Sequence, residues 1–417
     1  MAINIKPFKG ICYNQNLIAD LSKVICPPYD VISEEEKELY YNKSPYNFIH
    51  ILLARLQQNE KGFSDRYTKS AILFNEWLKN SIFQQDKKEH LYFYRQDFFY
   101  QNKEISRIGF IGLMEIADSR QVFPHENTHI QPKLDRFELL KKVRANLSPI
   151  FTIFSDTNNF IEKIFKQNFL QKKPDIALKD SDGVRHLVWR LSDAKIIDSI
   201  RKIMSKKNIF IADGHHRFEV AQMFRELMKK EDKDYSASKS YNFLLTYFTT
   251  LESDGICILP IHRLIKDSIF YELVKQHFRI KEVDSIFDLE EKIQHTSKAF
   301  CYGFYDGHKY LLIELRNKKD AVKYVEPIFK NLDIAILDYY ILPKIFGVKK
   351  EQIFYTNSSQ EAKECVDKKQ CNSAFLTRAV KIKQIRNVAL GGKRMPPKST
   401  YFYPKLASGL VVHKFEE

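Results

Sequence analysis

At 417 residues, with 44% hydrophobic and 13% aromatic side chains, the chain exceeds one ordinary core and has no segment of disordered composition. Two closely associated lobes are therefore expected. Lys and Arg outnumber Asp and Glu by 67 to 52, a net +15 that suits nucleic acid, an anionic membrane surface or small phosphorylated ligands. The basic residues are scattered, with no dense run or basic tail, so charge alone does not select DNA. No apolar run approaches the ~20 residues of a membrane helix. The N-terminal residues lack the basic-then-apolar pattern of a signal peptide. Cys12, Cys26, Cys257, Cys301, Cys365 and Cys371 show neither C-x-x-C nor zinc spacing. Reduced, mostly buried thiols in a cytoplasmic protein without a membrane partner are the expectation.

In chain order, Pro27-Pro28 stiffens the backbone and places Tyr29 and Asp30 on a defined loop. Ser33 and Glu36 spell a capping box. Residues 63–80 form a helical segment with Ala71, Phe74, Trp77 and Leu78 on one face. Residues 91–94 and 108–114 look like paired strands, and the Pro124-His125-Glu126 loop follows. A helix near 135–145 and a strand at 150–154 come next, then helix, loop, strand and helix across 158–205. An apolar strand at 209–212 runs into Asp213-Gly214-His215-His216-Arg217, and Phe218, Ala221, Phe224, Leu227 and Met228 recur at helical spacing. Residues 229–239 read as an exposed polar loop, and 243–249 and 256–261 as strands. Residues 265–390 alternate helices with short strands and carry no recognisable chemical motif.

The last 27 residues combine a mobile, basic Gly391-Gly392-Lys393-Arg394 with rigid Pro396-Pro397 and basic, hydroxylic Lys398-Ser399-Thr400. A strand end at 401–405 and a closing strand at 408–412 follow. Either this is a solvated tail, or it docks back and turns Lys393, Arg394, Lys398 and Lys405 toward an anion. Lys398 and Lys405 are expected at the surface, where truncation changes stability by under about 0.5 kcal/mol.

The turn at Asp213 carries the most chemistry. A carboxylate, two imidazoles and a fixed cation stand beside the N–H groups of a helix N-terminus, which attracts anions and phosphate above all. Arg217 offers a bidentate fork, and Asp213 suits a magnesium ion or the orientation of an imidazole. The competing role has Asp213 capping the helix and the histidines packed on the sheet. So many polar groups in one turn are hard to satisfy in a core, which favours function.

This strand–Asp-Gly-His-His-Arg–helix element, with Pro124-His125-Glu126 upstream, resembles the ParB/sulfiredoxin fold. The 87 positions from Glu126 to Asp213 exceed a minimal core of that fold, implying an insertion near 155–205. At full length the chain is similar to a large, poorly characterised prokaryotic family labelled ParB- or SpoOJ-like. The likeness rests on residues 27–32, on Pro124-His125-Glu126-Asn127-Thr128 with Lys133 and Asp135-Arg136, on the Asp213 turn, and on residues 395–405. It implies an α/β (α+β) fold: a ParB/sulfiredoxin-like core of mixed sheet and helices over 1–260, and a supporting α/β lobe over 261–417 whose basic end docks on the core.

The best-understood small-molecule enzyme on that fold is a free-serine kinase. The resemblance implies Glu126 as base, with Asp213 and His216 also catalytic. Gly214, His215, Arg217, Lys398 and Lys405 would bind phosphate or nucleotide, with Mg2+ on Asp213. His125, Thr128, Lys133, Asp135, Arg136, Tyr29 and Asp30 would hold serine or phosphoserine. For Asp135-Arg136 a helix N-cap with a surface Arg is the competing role. Phosphoryl transfer through a loose transition state asks only for positioning, charge neutralisation and one proton acceptor. Nothing resembles a Walker loop, so ATP, ADP and pyrophosphate all remain open as donors. Phosphoserine hydrolysis would need nearly the same residues. A ParB-like nucleotide- or DNA-binding protein is the competing class, but such proteins continue into a helix-turn-helix domain, whereas strand-like segments follow here. No specific nucleic acid partner is expected. A sulfiredoxin-like reaction needs a reactive Cys beside the turn, and Cys257 lies forty residues beyond Arg217. Oligomeric state is left open.

Overall fold

The computed structural model describes residues 2–56, 65–116 and 121–416. It divides into two compact units: Met1–Phe123, Thr128–Ile256 and Pro404–Glu417 form unit 1, and Pro124–Asn127 with Cys257–Tyr403 form unit 2. The expected boundary at 260/261 thus falls at Ile256/Cys257, with two exchanges: residues 124–127 join unit 2, and the C-terminal segment joins unit 1.

Among the described residues, unit 1 is built on a nine-stranded mixed sheet. Its strands are β1 (Ile5–Lys6), β2 (Leu91–Tyr100), β3 (Lys103–Glu115), β4 (Val122–Phe123), β5 (Ile150–Phe154), β6 (Ile176–Lys179), β7 (Arg185–Leu191), β8 (Ile209–Asp213) and β9 (Phe243–Thr250). The order is β4-β8-β5-β9-β3-β2-β7-β6, with β1 pairing β3. Aromatic and β-branched residues dominate β2 and β9, which suits strands covered on both faces. β2 and β3 pair antiparallel as expected. β4–β8 and β9–β5 run parallel.

The helices of unit 1 are α1 (Glu34–Lys43), α2 (Arg66–Lys79), α3 (Ile130–Val143), α4 (Phe160–Asn168), α5 (Ala194–Met204) and α6 (His215–Glu231). Ser33 and Glu36 close the predicted capping box on α1. α2 buries Ser70, Phe74 and Trp77, while residues 63 and 64 of the expected helix lie outside the described residues. α4, α5 and the start of α6 cover one core, in which Phe93, Phe110, Phe165, Trp189, Ile200, Met204 and Phe218 meet. Each such side chain contributes about 1.5–3 kcal/mol of burial. A second cluster joins α3 to α6 through Leu140, Val220, Phe224 and Met228, with Phe415 from the C-terminal segment.

Three expectations shift. α3 starts at Ile130 rather than near 135, and Pro132 sits in its first turn, where no N–H is missed. The segment expected as an insertion supplies β6 and β7, and β7 pairs with β2 over seven residues, so it extends the main sheet. The expected strand at 408–412 is instead two single bridges, Cys26–Ser408 and Ile11–Val412, and His413–Lys414 pairs with Ala145–Asn146.

Unit 2 holds β10 (Cys257–Leu259), β11 (His262–Ile265), β12 (Phe278–Val283), β13 (Cys301–Tyr305), β14 (Tyr310–Leu315), β15 (Ile353–Thr356), β16 (Ser373–Leu376) and β17 (Tyr401–Tyr403). β10 pairs with β17, and the others form an antiparallel six-stranded sheet in the order β12-β14-β13-β16-β11-β15. α7 (Ile286–His295) and α8 (Ser359–Asp367) pack on it through Leu289, Ile293, Ala362 and Val366. Among the described residues no helix is long and apolar enough to cross a membrane.

Candidate functional site

In unit 1, a register shift in the β8–β5 pairing lies between Ile211 and Asp213, at the strand's end. The chain then turns at Gly214, φ +90°, into the 17-residue α6. A Cβ on Gly214 would stand 2.9 Å from Ile150 and 3.1 Å from the Arg217 guanidinium, so sterics as well as φ require glycine. As N-cap residue, Gly214 contributes no side chain, and the helix begins without an Asp, Ser or Thr cap. Asp213 does not act as that cap. Its Oδ2 accepts from Arg217 Nη2 at 2.7 Å, and its Oδ1 accepts from Lys405 Nζ. The three side chains are only 10–13% exposed. Burial alone would raise the Asp213 carboxyl, but the charges of Lys405 and Arg217 outweigh it and hold the group well below the usual carboxylate range. Lys405 is thus a buried ion-pair partner, not the surface residue expected.

Tyr29 joins this cluster. Burial raises its hydroxyl, and Asp30, Arg136, Arg217 and Asp213 all act on it. The Arg136 guanidinium lies 4.4 Å over the Tyr29 ring. Arg136 is buried, not a surface Arg, and Asp135 lies within α3 rather than at its N-cap. Asp135 accepts from Arg136 Nε at 2.7 Å and from the Tyr67 hydroxyl at 2.8 Å, and it pairs with Arg66. Asp30 is exposed beside Tyr29. On the facing sides of α3 and α6, Thr128 Oγ1 and Lys133 Nζ both donate to Glu219, at 2.6 and 3.0 Å. His216 Nε2 accepts the His129 N–H at 3.0 Å, so that nitrogen carries no proton in this arrangement.

In unit 2, the Glu126 carboxylate accepts from the N–H groups of Lys398 (2.9 Å) and Ser399 (3.2 Å) and from the Thr400 hydroxyl (3.3 Å). His125 is buried, with Nε2 at 3.0 Å from Thr400 Oγ1. Lys398 takes a left-handed φ of +56°. Its carbonyl accepts from Arg263 Nη1 at 3.1 Å, and Arg263 is fully buried in a two-pronged pair with Asp338. Lys393, expected to be mobile, pairs with Glu326.

The expected residues therefore gather in two groups. Asp213, Gly214, His215, His216, Arg217, Lys405, Tyr29, Asp30, Thr128, Lys133, Asp135 and Arg136 belong to unit 1; His125, Glu126 and Lys398 belong to unit 2. Sequence reasoning missed Glu219, which its spacing of three from His216 could have flagged as sharing a helix face. It also missed Arg263 and Asp338, for which no local signal exists. Among the described residues, no three His, Cys, Asp or Glu side chains are placed to hold a metal ion. With each of its oxygens on a cation, Asp213 does not fit the expected role of Mg2+ ligand.

A family model described as "Protein of unknown function (DUF1015)" matches residues 5–335. The chain belongs to the DUF1015 family. The ParB/SpoOJ-like label has no support in this match. No curated protein matches the DUF1015 chain. Among solved structures it is similar to a mutant free serine kinase in complex with ADP, at 14% identity and TM-score 0.36, over 70% of this chain and 86% of that one. A conserved hypothetical protein from Pyrococcus furiosus gives 14% identity and 0.35 over 70% and 91%. C-terminally truncated SbnI from Staphylococcus aureus gives 10% and 0.35 over 72% and 85%. Likeness this faint leaves the chemistry of the DUF1015 chain to its own residues.

Proposed function

We propose that the protein is a phosphotransferase acting on the hydroxyl of a small metabolite, with free L-serine and O-phospho-L-serine as the first pair to test. The observation that carries this reading is the Asp213–Arg217 turn of unit 1. There a glycine-started helix N-terminus, Arg217 and Lys405 share a site of 10–13% side-chain exposure. Two cations against one carboxylate leave a net positive charge. In a partly desolvated site that charge and the helix N-terminus favour a phosphoryl group and the negative charge it develops in transfer. Asp213 holds Arg217 and Lys405 in place, so their charge is fixed at the turn.

Asp213 is a poor base, because its neighbours hold it far below the pH at which a proton acceptor must work. Glu126 is the carboxylate we assign to accept the hydroxyl proton, on the strength of the Pro124-His125-Glu126 motif. Three donors on its oxygens fix the orientation of that carboxylate. His216, which accepts a main-chain N–H, is better read as positioning the start of α3. Tyr29, Asp30, His125, Thr128, Lys133, Asp135 and Arg136 remain the substrate-side residues of this reading, with Glu219 added. Lys398, Gly214 and His215 remain on the phosphate side. A ParB/sulfiredoxin-type core and a cytoplasmic setting belong to the same proposal.

The test is direct. Purified protein is mixed with serine and other small hydroxyl metabolites and with ATP, ADP or pyrophosphate, and products are followed by phosphorus NMR. Formation of a phosphate monoester supports the reading. Hydrolysis of O-phosphoserine without transfer would move it to a phosphatase. Neither transfer nor hydrolysis with any donor would sink it.

A further inference from the structure

Beside the Asp213 turn, unit 1 contains a partly open cavity of about 60 Å³. Leu52, Leu139, Leu147 and Val220 line it with apolar groups, and Arg217 and Tyr29 line it too. Arg136 also lines it. Neither guanidinium is placed to collapse into the space. Arg217 is anchored to Asp213 and to the Pro149 carbonyl. Arg136 is anchored to Asp135 and, at 2.8 Å, to the Leu52 carbonyl.

Protein interiors hold few voids larger than a water molecule. Most of its lining is apolar, and Tyr29, Arg136, Asn146, Ser148 and Arg217 supply the polar groups for the anionic end of a ligand. The space is also well under the ~150 Å³ that admits a benzene ring. It therefore fits a branched apolar group of about three or four carbons, carried by a molecule whose anionic end lies at Arg217.

We propose that this cavity is a ligand subsite, and that the phosphate monoester held at the Asp213–Arg217 turn bears a short branched apolar group that fills it. The proposal rests on the phosphate reading above and sharpens it. Serine, with a single hydroxymethyl side chain, leaves the cavity empty. A hydroxyl metabolite with an additional short aliphatic branch occupies it. Charge complementarity comes from Arg217 and Lys405, and size selection from Leu139 and Val220.

Calorimetric titration of the full chain with inorganic phosphate, isopropyl phosphate and cyclohexyl phosphate tests this. Isopropyl phosphate should bind at least about tenfold tighter than inorganic phosphate, the order expected for burying two or three methyl-sized groups. Cyclohexyl phosphate should show no such gain. Val220→Phe should bring the isopropyl-to-inorganic ratio to about one. Leu139→Ala, which enlarges the space, should let cyclohexyl phosphate gain instead. Xenon NMR on the same proteins reads the cavity without any phosphate, and Val220→Phe should abolish the xenon shift. Phosphate binding with no alkyl gain would overturn this inference and leave the phosphate reading standing. Xenon entry with no binding of any phosphate would overturn both. Absence of a xenon signal from the parent would remove the cavity itself.

Discussion

Lys405 and Asp213 lie 192 positions apart in sequence and form a largely buried ion pair inside unit 1, with Arg217 on the second carboxylate oxygen. Removing one partner of such a pair leaves the other desolvated and under-compensated, which typically costs 3–5 kcal/mol. Arg217 remains on Asp213, so Lys405→Ala is expected near the lower end, roughly 3 kcal/mol. The triple variant Lys405→Met, Asp213→Asn and Arg217→Met should recover part of that loss, because only then is no lone charge left behind. Urea unfolding of the parent, Lys405→Ala and this multiple variant measures the loss and its recovery. A loss of under about 0.5 kcal/mol in Lys405→Ala would mean that the lysine behaves as ordinary surface charge.

Gly214→Ala tests the turn independently. With φ at +90° and a new methyl 2.9 Å from Ile150, the substitution strains backbone and packing together. A stability loss of about 1–2 kcal/mol or more is expected. Phosphate affinity should fall with it if the turn holds the anion. Normal affinity with lowered stability would separate the turn's structural part from the proposed binding part.

What the sequence made legible was local. The 91–94 and 108–114 runs announced β2 and β3 through their own composition, and the Ser33–Glu36 box needed only residues three apart. The start of α3 was missed because His129, its N-cap residue, makes no side-chain cap bond. Residues 124–127 join unit 2 through bonds from Glu126 to Lys398 and Ser399, 272 and 273 positions away, and no periodicity encodes such a pairing. Lys405 misled for a different reason. Lysine is so rarely buried without a partner that composition places it at the surface, and its partner is visible only in three dimensions. The candidate site shows the same division: the Asp213–Arg217 turn was readable as a motif, whereas Glu219 and the Arg263–Asp338 pair emerge from packing.

Glu126→Gln has two expected effects that can be told apart. An amide keeps one acceptor oxygen but turns an NH2 group toward donors now served by a carboxylate, so the Lys398–Thr400 turn loses a hydrogen bond. That costs about 1–3 kcal/mol. If Glu126 is also the base, turnover in the phosphotransfer assay should drop by about 10² or more. Ser399→Pro removes one of the same N–H donors while leaving the carboxylate in place. A turnover loss shared equally by both variants would assign Glu126 to holding the turn; a loss confined to Glu126→Gln would assign it to proton transfer.

The last prediction is an acid-side loss of stability centred on two buried imidazoles. Burial lowers His413 from 6.5 to about 4, only weakly opposed by a hydrogen bond that the ring donates to the Ser240 main chain. Burial, and then the Arg263 charge, lowers His262 from 6.5 to about 3. His413 Nε2 has no hydrogen-bond partner among the described residues, and a proton added to His262 would go to Nδ1, which already faces the Thr377 N–H, so nothing nearby stabilises either cation. His262 Nδ1 accepts the Thr377 N–H at 3.2 Å, which fixes the neutral ring with its proton on Nε2. The sign follows from where protons bind. Below 6.5 the unfolded chain takes up protons at both positions while the folded units do not, so the folded state loses ground as pH falls. For His413 the loss runs from about 6.5 down to about 4 and then levels off; for His262 it continues to about 3. At about 1.4 kcal/mol per pH unit for each ring, His413 accounts for roughly 3 kcal/mol across its window and His262 for roughly 5 kcal/mol. Asp213 acts in a lower range: its depressed carboxyl contributes stability above its unfolded value of 3.8, which is lost only as pH falls toward its folded value. Unfolding free energies measured between pH 7 and pH 4 should therefore decline steeply in the parent. His413→Gln and His262→Gln should each flatten that decline, whatever they do to stability at pH 7. A decline of unchanged slope in both variants would place the acid sensitivity in groups other than these two.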